Sequence, residues 1–321
     1  MNFSNSHGDK STQKAHFLRQ IRDEPKLPPE LIDDILEILG AQGSNEGREA
    51  LARCLLVSRS FYLRARGILF AKIKTSERLF PSPGRKKTEM IDVLLEILEE
   101  DLLRNVDPLV TYVRDLRLSM FPLSTIGAAS EWNAQRANLP LLLTMLPNLQ
   151  SFGLEFTTSM DWNAIYEPMY VGIACTLKSS NLTALYLANI YHFSTSLVLG
   201  QCINLRDLYL ENITHRPRGD FTACQDMFPS VDKYQTPWDP KSLQNLENVE
   251  TNSFGDVFRR IMTVKRHTPQ AAPFSHLKSF TVHFSNEDLA KEWQTLECAA
   301  ASLERLTLHG IIASESFSPL P

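Results

Sequence analysis

The side chains able to do chemistry are numerous but uncoordinated. The chain has 8 histidines, 5 cysteines and 37 carboxylates in 321 residues. A zinc centre needs histidine and cysteine ligands at short spacings, and neither C-x-x-C nor H-E-x-x-H occurs. No metal or cofactor is therefore expected. The glycine loops that cradle phosphates are absent, and so is the G-x-S-x-G elbow of a serine nucleophile. Among so many carboxylates, nothing singles out one pair as an acid and base couple. Arg218-Gly219-Asp220 matches an adhesion tripeptide, but such triplets arise by chance and a turn is the better reading. The scattered cysteines (Cys54, Cys175, Cys202, Cys224, Cys298) read as reduced thiols, mostly buried. No catalytic residue is expected, so the chain does not read as an enzyme. The chemistry that remains is recognition.

The elements that would present recognition residues follow from a recurring pattern: apolar, two residues, apolar, one residue, apolar. It occurs at Val113/Leu116/Leu118, Leu149/Phe152/Leu154, Leu182/Leu185/Leu187, Leu205/Leu208/Leu210, Leu277/Phe280/Val282 and Leu303/Leu306/Leu308, with Leu246/Val249/Thr251 a poorer match. This is the strand signature of leucine-rich repeats. The intervals between first positions are 36, 33, 23, 41, 31 and 26 residues, longer and less even than the usual spacing of about 20 to 29. Helix patterns lie between strands, the clearest opening at the capping box Ser285-Asn286-Glu287-Asp288 and continuing through Leu289, Trp293, Leu296 and Ala300. Strand, helix, strand implies a curved parallel sheet with right-handed crossovers and helices on the convex side. Three residues beyond the last apolar position stand Phe121, Ile190, Ile213 and Ile311, so no asparagine ladder is expected and packing must stabilise the repeats.

Residues beside the apolar positions point out of the sheet, on its concave face. One column reads Arg117, Gly153, Tyr186, Tyr209, Glu250, Thr281 and Thr307; the next reads Ser119, Glu155, Ala188, Glu211, Asn252, His283 and His309. Adjacent strands about 4.8 Å apart place Tyr186 beside Tyr209 and His283 beside His309. Tyrosines on a rigid sheet anchor protein partners, and stacked tyrosines also stabilise the sheet itself; both readings stand here. The histidine pair lacks a third metal ligand and reads instead as a source of pH-sensitive binding. Target-binding candidates are Arg117, Tyr186, Tyr209, Glu211, His283 and His309.

Two further features belong to this region. Thr214 to Pro240 lengthens one interval to 41 residues and reads as an inserted loop beside the recognition surface. The strand of Leu306 and Leu308 is the last of the pattern, so its outer edge is expected to pair with the chain's own tail, a second copy or a further segment of a longer protein.

Upstream, Leu27-Pro28-Pro29 opens a helix in which Leu31, Ile32, Ile35, Leu36, Ile38 and Leu39 fill an arc of roughly 160°. Packing on one core needs a stripe of about 100°, which leaves part of the arc for a partner. A second helical run passes from Glu49 through Leu51, Leu55, Ser58 and Tyr62 after the glycines of Gly40 to Gly47. The loop Phe80 to Thr88 precedes a connecting helix with Ile91, Leu94, Leu95, Leu98 and Leu102 on its core face, capped by Thr88 and Glu89.

Leu27-Pro28-Pro29-Glu30-Leu31, Ile35-Leu36, Leu39, Leu56-Val57-Ser58-Arg59-Ser60-Phe61 and Ile68-Leu69-Phe70 together resemble an F-box. With the repeats and the phrase Asp107 to Leu116, the chain resembles the fungal families of F-box proteins. The resemblance implies docking on the small adaptor subunit of an SCF-type (cullin-RING) ubiquitin ligase, and through it on the cullin. Leu27, Pro28, Leu31, Ile35, Val57 and Phe61 are the adaptor-binding positions it implies. Ser58 stands where cysteine is usual in the family, Phe61 where tryptophan is usual, and the loop around Gly43 is longer. The alternatives are a helical hairpin that merely caps the repeats, and a repeat scaffold outside ubiquitin transfer with a degenerate F-box.

The expected architecture is α/β: a disordered lead over residues 1–26, a short all-α F-box-like module over 27–73, a linker and connecting helix over 74–104, and an irregular leucine-rich-repeat-like solenoid over 105–321. A net charge of −4 with 22% charged residues argues against a nucleic-acid partner. No apolar run is long enough to span a bilayer and the lead Met1 to Gln13 has no signal-peptide core, so no membrane partner and a cytoplasmic or nuclear location are expected.

Overall fold

The computed structural model describes residues 27–76, 90–120, 137–162, 165, 167–193, 198, 202–215, 243–252, 274–285, 296 and 300–311. The loop at 80–88, the insertion beyond His215, the capping box after Ser285 and the segment after Ile311 lie outside these residues. The chain divides into two compact units, Met1–Lys72 and Ile73–Pro321.

Among its described residues the first unit holds three helices, α1 (Pro29–Ala41), α2 (Asn45–Cys54) and α3 (Arg59–Phe70). Pro29 sits in the first turn of α1, where its missing N–H is no loss, and Glu30 favours the positive helix end. Ser44 caps α2 by accepting from Gly47 N at 3.0 Å. The run from Glu49 to Tyr62 is two helices, which with α1 makes three, the upper count of the two or three short helices expected here. Ser58, extended at φ −159°, lies between them and accepts from Phe61 N at 3.4 Å, so its hydroxyl starts α3 rather than lying within a helix. Ile32, Leu36, Leu51 and Ala65 form the buried centre, with Leu39, Leu55, Phe61, Ile68 and Leu69 packed against it. Gly40 permits the close approach of α1 to α3, since a Cβ there would stand 2.5 Å from Ile68 Cγ2. Arg64 clasps the opposite end of α1, donating to Pro29 O at 2.6 Å and pairing with Asp33 at 2.7 Å.

The second unit is built on one eight-stranded sheet whose spatial order follows the sequence: β1 (Lys72–Ser76), β2 (Asp115–Met120), β3 (Ser151–Asp161), β4 (Ala184–Phe193), β5 (Asp207–His215), β6 (Asn248–Thr251), β7 (Ser279–Ser285) and β8 (Arg305–Ile311). Every pair from β2 to β8 is parallel. Parallel neighbours require a crossover at each step. Helix α4 (Met90–Arg104) precedes β2, α5 (Leu139–Thr144) precedes β3 and α6 (Glu167–Leu177) precedes β4. Ile91, Leu95 and Leu98 are the buried positions of α4, while Leu102 is half exposed.

Each position of the strand pattern from Val113 to Val282 is inward, the polar Thr251 included, none more than 3% exposed. Leu306 and Leu308 of β8 break the series at 43% and 47%. Among the described residues β8 has no strand on its outer side. No helix among the described residues is long and apolar enough to cross a membrane.

Candidate functional site

Two surfaces carry the sequence-derived candidates. On the helical unit, α1 buries Ile32 and Leu36 fully and leaves Leu31, Ile35 and Ile38 at 48%, 43% and 62% exposure, a stripe at helical spacing. Leu27 and Pro28 are exposed before it, and the turn between α2 and α3 presents Leu56 and Val57 at 89% and 64%. Phe61 differs from the other candidates. It is partly buried against the unit's own centre, so its ring is shared between the fold and any partner.

On the sheet, register aligns the predicted first column strand by strand: Arg117, Gly153, Tyr186, Tyr209, Glu250, Thr281 and Thr307 are successive partners. Tyr186 and Tyr209 have ring centroids 6.5 Å apart, tilted by 44°. The Tyr186 hydroxyl donates to Glu211 Oε2 at 3.0 Å, and the Arg117 guanidinium lies 5.5 Å from the Tyr186 ring centre. Arg117 reaches across β3 because Gly153 has no side chain; a Cβ there would stand 3.0 Å from Arg117 Cγ. Asp115, on the same strand face, has its Oδ1 3.7 Å from Arg117 Nε. Burial, then the bond to Glu211 and the negative fields of Glu211 and Glu155, push the Tyr186 phenol up to about 12. Tyr209 is raised by burial and by the fields of Asp207 and Glu250.

In the second column, Ala188 does not face solvent as expected; it is buried at 1%, between Glu155 and Glu211 in the register. His283 and His309 are register partners with rings stacked at 4.3 Å and 12°, at the other end of the sheet from Arg117. Among the described residues no three His, Cys, Asp or Glu side chains are grouped to hold a metal ion.

The expectation of no asparagine ladder is overturned. Asn189, Asn212 and Asn252 form a ladder beyond the ends of the strands' apolar positions: Asn189 Nδ2 donates to Phe156 O at 2.5 Å, Asn212 Nδ2 to Asn189 Oδ1 at 2.8 Å, and Asn252 Nδ2 to Asn212 Oδ1 at 2.9 Å. A second ladder runs along the opposite strand ends. There Asn148, Asn181, Asn204 and Asn245 each donate to a carbonyl of the preceding repeat, at Thr111, Pro147, Ser180 and Ile203, over 2.7 to 3.0 Å. The signal was present in the sequence as Asn immediately before the first leucine of four repeats.

Beside Asn245, a hollow of about 150 Å³ is lined by Arg206, Glu247, His276 and Lys278. Glu247 meets Lys278 at 2.7 Å and Arg206 at 3.6 Å, so one carboxylate is shared by two cations. The bond from Lys278 holds the Glu247 carboxyl below its ordinary range.

The cysteines are less uniformly buried than expected. Cys202 is buried, Cys54 intermediate and Cys175 exposed, all as free thiols; Cys224 and Cys298 lie outside the described residues.

No protein-family model matches the chain, and no curated protein matches it significantly.

Proposed function

We propose that the chain is the substrate-recognition subunit of an SCF-type (cullin-RING) ubiquitin ligase. The helical unit docks on the adaptor, and the repeat sheet, read as an irregular leucine-rich-repeat solenoid, holds a target protein. The observation that carries the reading is the division of α1 into a buried pair, Ile32 and Leu36, and an exposed apolar stripe, Leu31, Ile35 and Ile38. Exposed leucines are common singly; a stripe continued by Leu27 before it is the kind of surface that a partner covers. One strand per repeat, in-order parallel pairing and asparagine ladders support the solenoid reading. In such a subunit catalysis is proximity: target lysines are held near a ubiquitin-charged enzyme.

A second reading, a repeat scaffold outside ubiquitin transfer with a degenerate F-box as folding cap, is favoured by Phe61 lying against the helical centre. Co-purification with the adaptor subunit separates the two. Binding by wild type and its loss in Leu31→Asp is the expected result. Losing one buried leucine contact of about 1.5 to 3 kcal/mol weakens binding roughly ten- to a hundredfold, and burying a charge adds to that. A folded Leu31→Asp that binds the adaptor as wild type does, or a wild type that does not bind it, sinks the ligase reading.

A further inference from the structure

We propose that the polar sheet face over β3 to β6 binds an extended protein segment rich in arginine or lysine, with one cation seated on the Tyr209 ring. This deepens the reading of that face as the target-binding surface.

Tyr209 is surrounded by negative charge. Asp207 and Glu211 lie two residues to either side of it on the same strand face, and Glu250 is its register partner on β6. Tyr186, its partner on β4, is bonded to Glu211. Beyond Tyr186, Glu155 is separated from Glu211 only by the buried Ala188. Strand spacing puts those two residues roughly 10 Å apart.

Among the described residues none of these carboxylates is held in an ion pair, and the one nearby cation whose field reaches both tyrosines is Arg117, held at Asp115 and over the Tyr186 ring. Among the described residues the ion pairs engage Glu49, Asp33, Glu100, Asp115, Asp161 and Glu247, and none involves Glu155, Asp207, Glu211 or Glu250. Like charges fixed on neighbouring strands repel one another, and a cationic partner relieves that repulsion.

The face also shows what it favours. Its own Arg117 guanidinium rests over the Tyr186 ring, while Tyr209 carries no such cation among the described residues. Tyr209 is half-buried, and the open part of an aromatic face beside carboxylates attracts a guanidinium or ammonium through its quadrupole as well as by charge. The strands supply a rigid base for these groups, so little ordering is needed on binding.

The probe is a fluorescein-labelled peptide with two arginines spaced by glycine and serine, followed by fluorescence anisotropy on the full chain at low ionic strength. A peptide with glutamates in place of the arginines serves as its counterpart. Binding of the arginine peptide alone is expected, falling steeply with added salt because exposed charges are screened. Glu211→Gln/Glu250→Gln is expected to weaken it about five- to tenfold, as two exposed charge contacts should. Tyr209→Ala should weaken it severalfold while Tyr209→Phe, which keeps the ring, should not. Glu96→Gln/Glu99→Gln on α4 controls for general attraction to an acidic chain. Unchanged affinity in the sheet variants, equal weakening by the α4 control, or equal binding of the glutamate peptide overturns the proposal. The assay contains no adaptor, so failure of adaptor docking with arginine-peptide binding intact removes the ligase reading and leaves this one standing.

Discussion

Replacing Asn212 tests whether the inner asparagine ladder stabilises the sheet. Asn212 has φ 51°, a left-handed conformation that costs most L-residues about 1–2 kcal/mol and that asparagine tolerates. Its side chain donates to Asn189 and accepts from Asn252, so truncation removes two hydrogen bonds; at this exposed site they are worth about 1–2 kcal/mol together. Asn212→Ala loses both bonds and adds the backbone strain, for an expected cost of about 2–4 kcal/mol. Asn212→Gly loses the same bonds without strain, but its freer unfolded chain returns part of the difference, so it should be more stable than the alanine variant by about 0.5–1 kcal/mol. Urea unfolding with an unchanged slope measures both values. An alanine variant within about 0.5 kcal/mol of wild type would show that the ladder contributes nothing beyond an ordinary surface site. A glycine variant no more stable than alanine would refute the backbone part of the reasoning.

In the helical unit, Ile32→Ala should cost about 2–5 kcal/mol because Ile32 is fully buried, whereas Leu31→Ala, one residue away and 48% exposed, should cost far less; urea unfolding of the pair checks this. The Tyr186 phenol, held near 12 in the fold against an ordinary value near 10, keeps a proton that the unfolded chain has lost between those pH values. Its contribution to stability is therefore complete below pH 10 and lost as pH rises through about 12. Glu211→Gln should lower the midpoint of phenolate absorbance. Burial pushes the Cys202 thiol up to about 12, so a thiol reagent at neutral pH should modify exposed Cys175 in the native chain and reach Cys202 only on unfolding.

The strand register was legible because each strand buries one face. Slipping a strand by one residue would turn its entire inward set outward, so Leu185 and Leu187 fix the position of Tyr186 as surely as any contact of Tyr186 itself. That is why the Tyr186/Tyr209 and His283/His309 neighbours could be read from alignment. The exposed stripe of α1 was legible for a related reason: an apolar arc too wide for one core leaves a remainder, and Leu31, Ile35 and Ile38 are that remainder. Serine at position 58 was harder to place, because it fits the helical periodicity of its neighbours, and only its hydrogen bond to Phe61 N shows that it begins a helix.

The ladder does not stand three residues past the last leucine, where Ile190 and Ile213 lie. In Asn189 and Asn212 the asparagine comes one residue sooner, immediately after Ala188 and Glu211, and adopts positive φ. At Asn189 that conformation turns β4 where its pairing with β3 loses its simple register, between Glu155 and Met160; the break between Ile190 and Phe193 on β4 against β5 lies past the asparagines, beside His192 with φ 57°. Ile190 and Ile213, the residues that follow the two asparagines, are both fully buried beyond the turn. The asparagine therefore does two jobs that periodicity cannot distinguish from a loop signal. Its backbone accepts the left-handed turn at little cost, and its amide links that turn to the next repeat, so the irregular spacing between strands leaves the strand ends themselves in step.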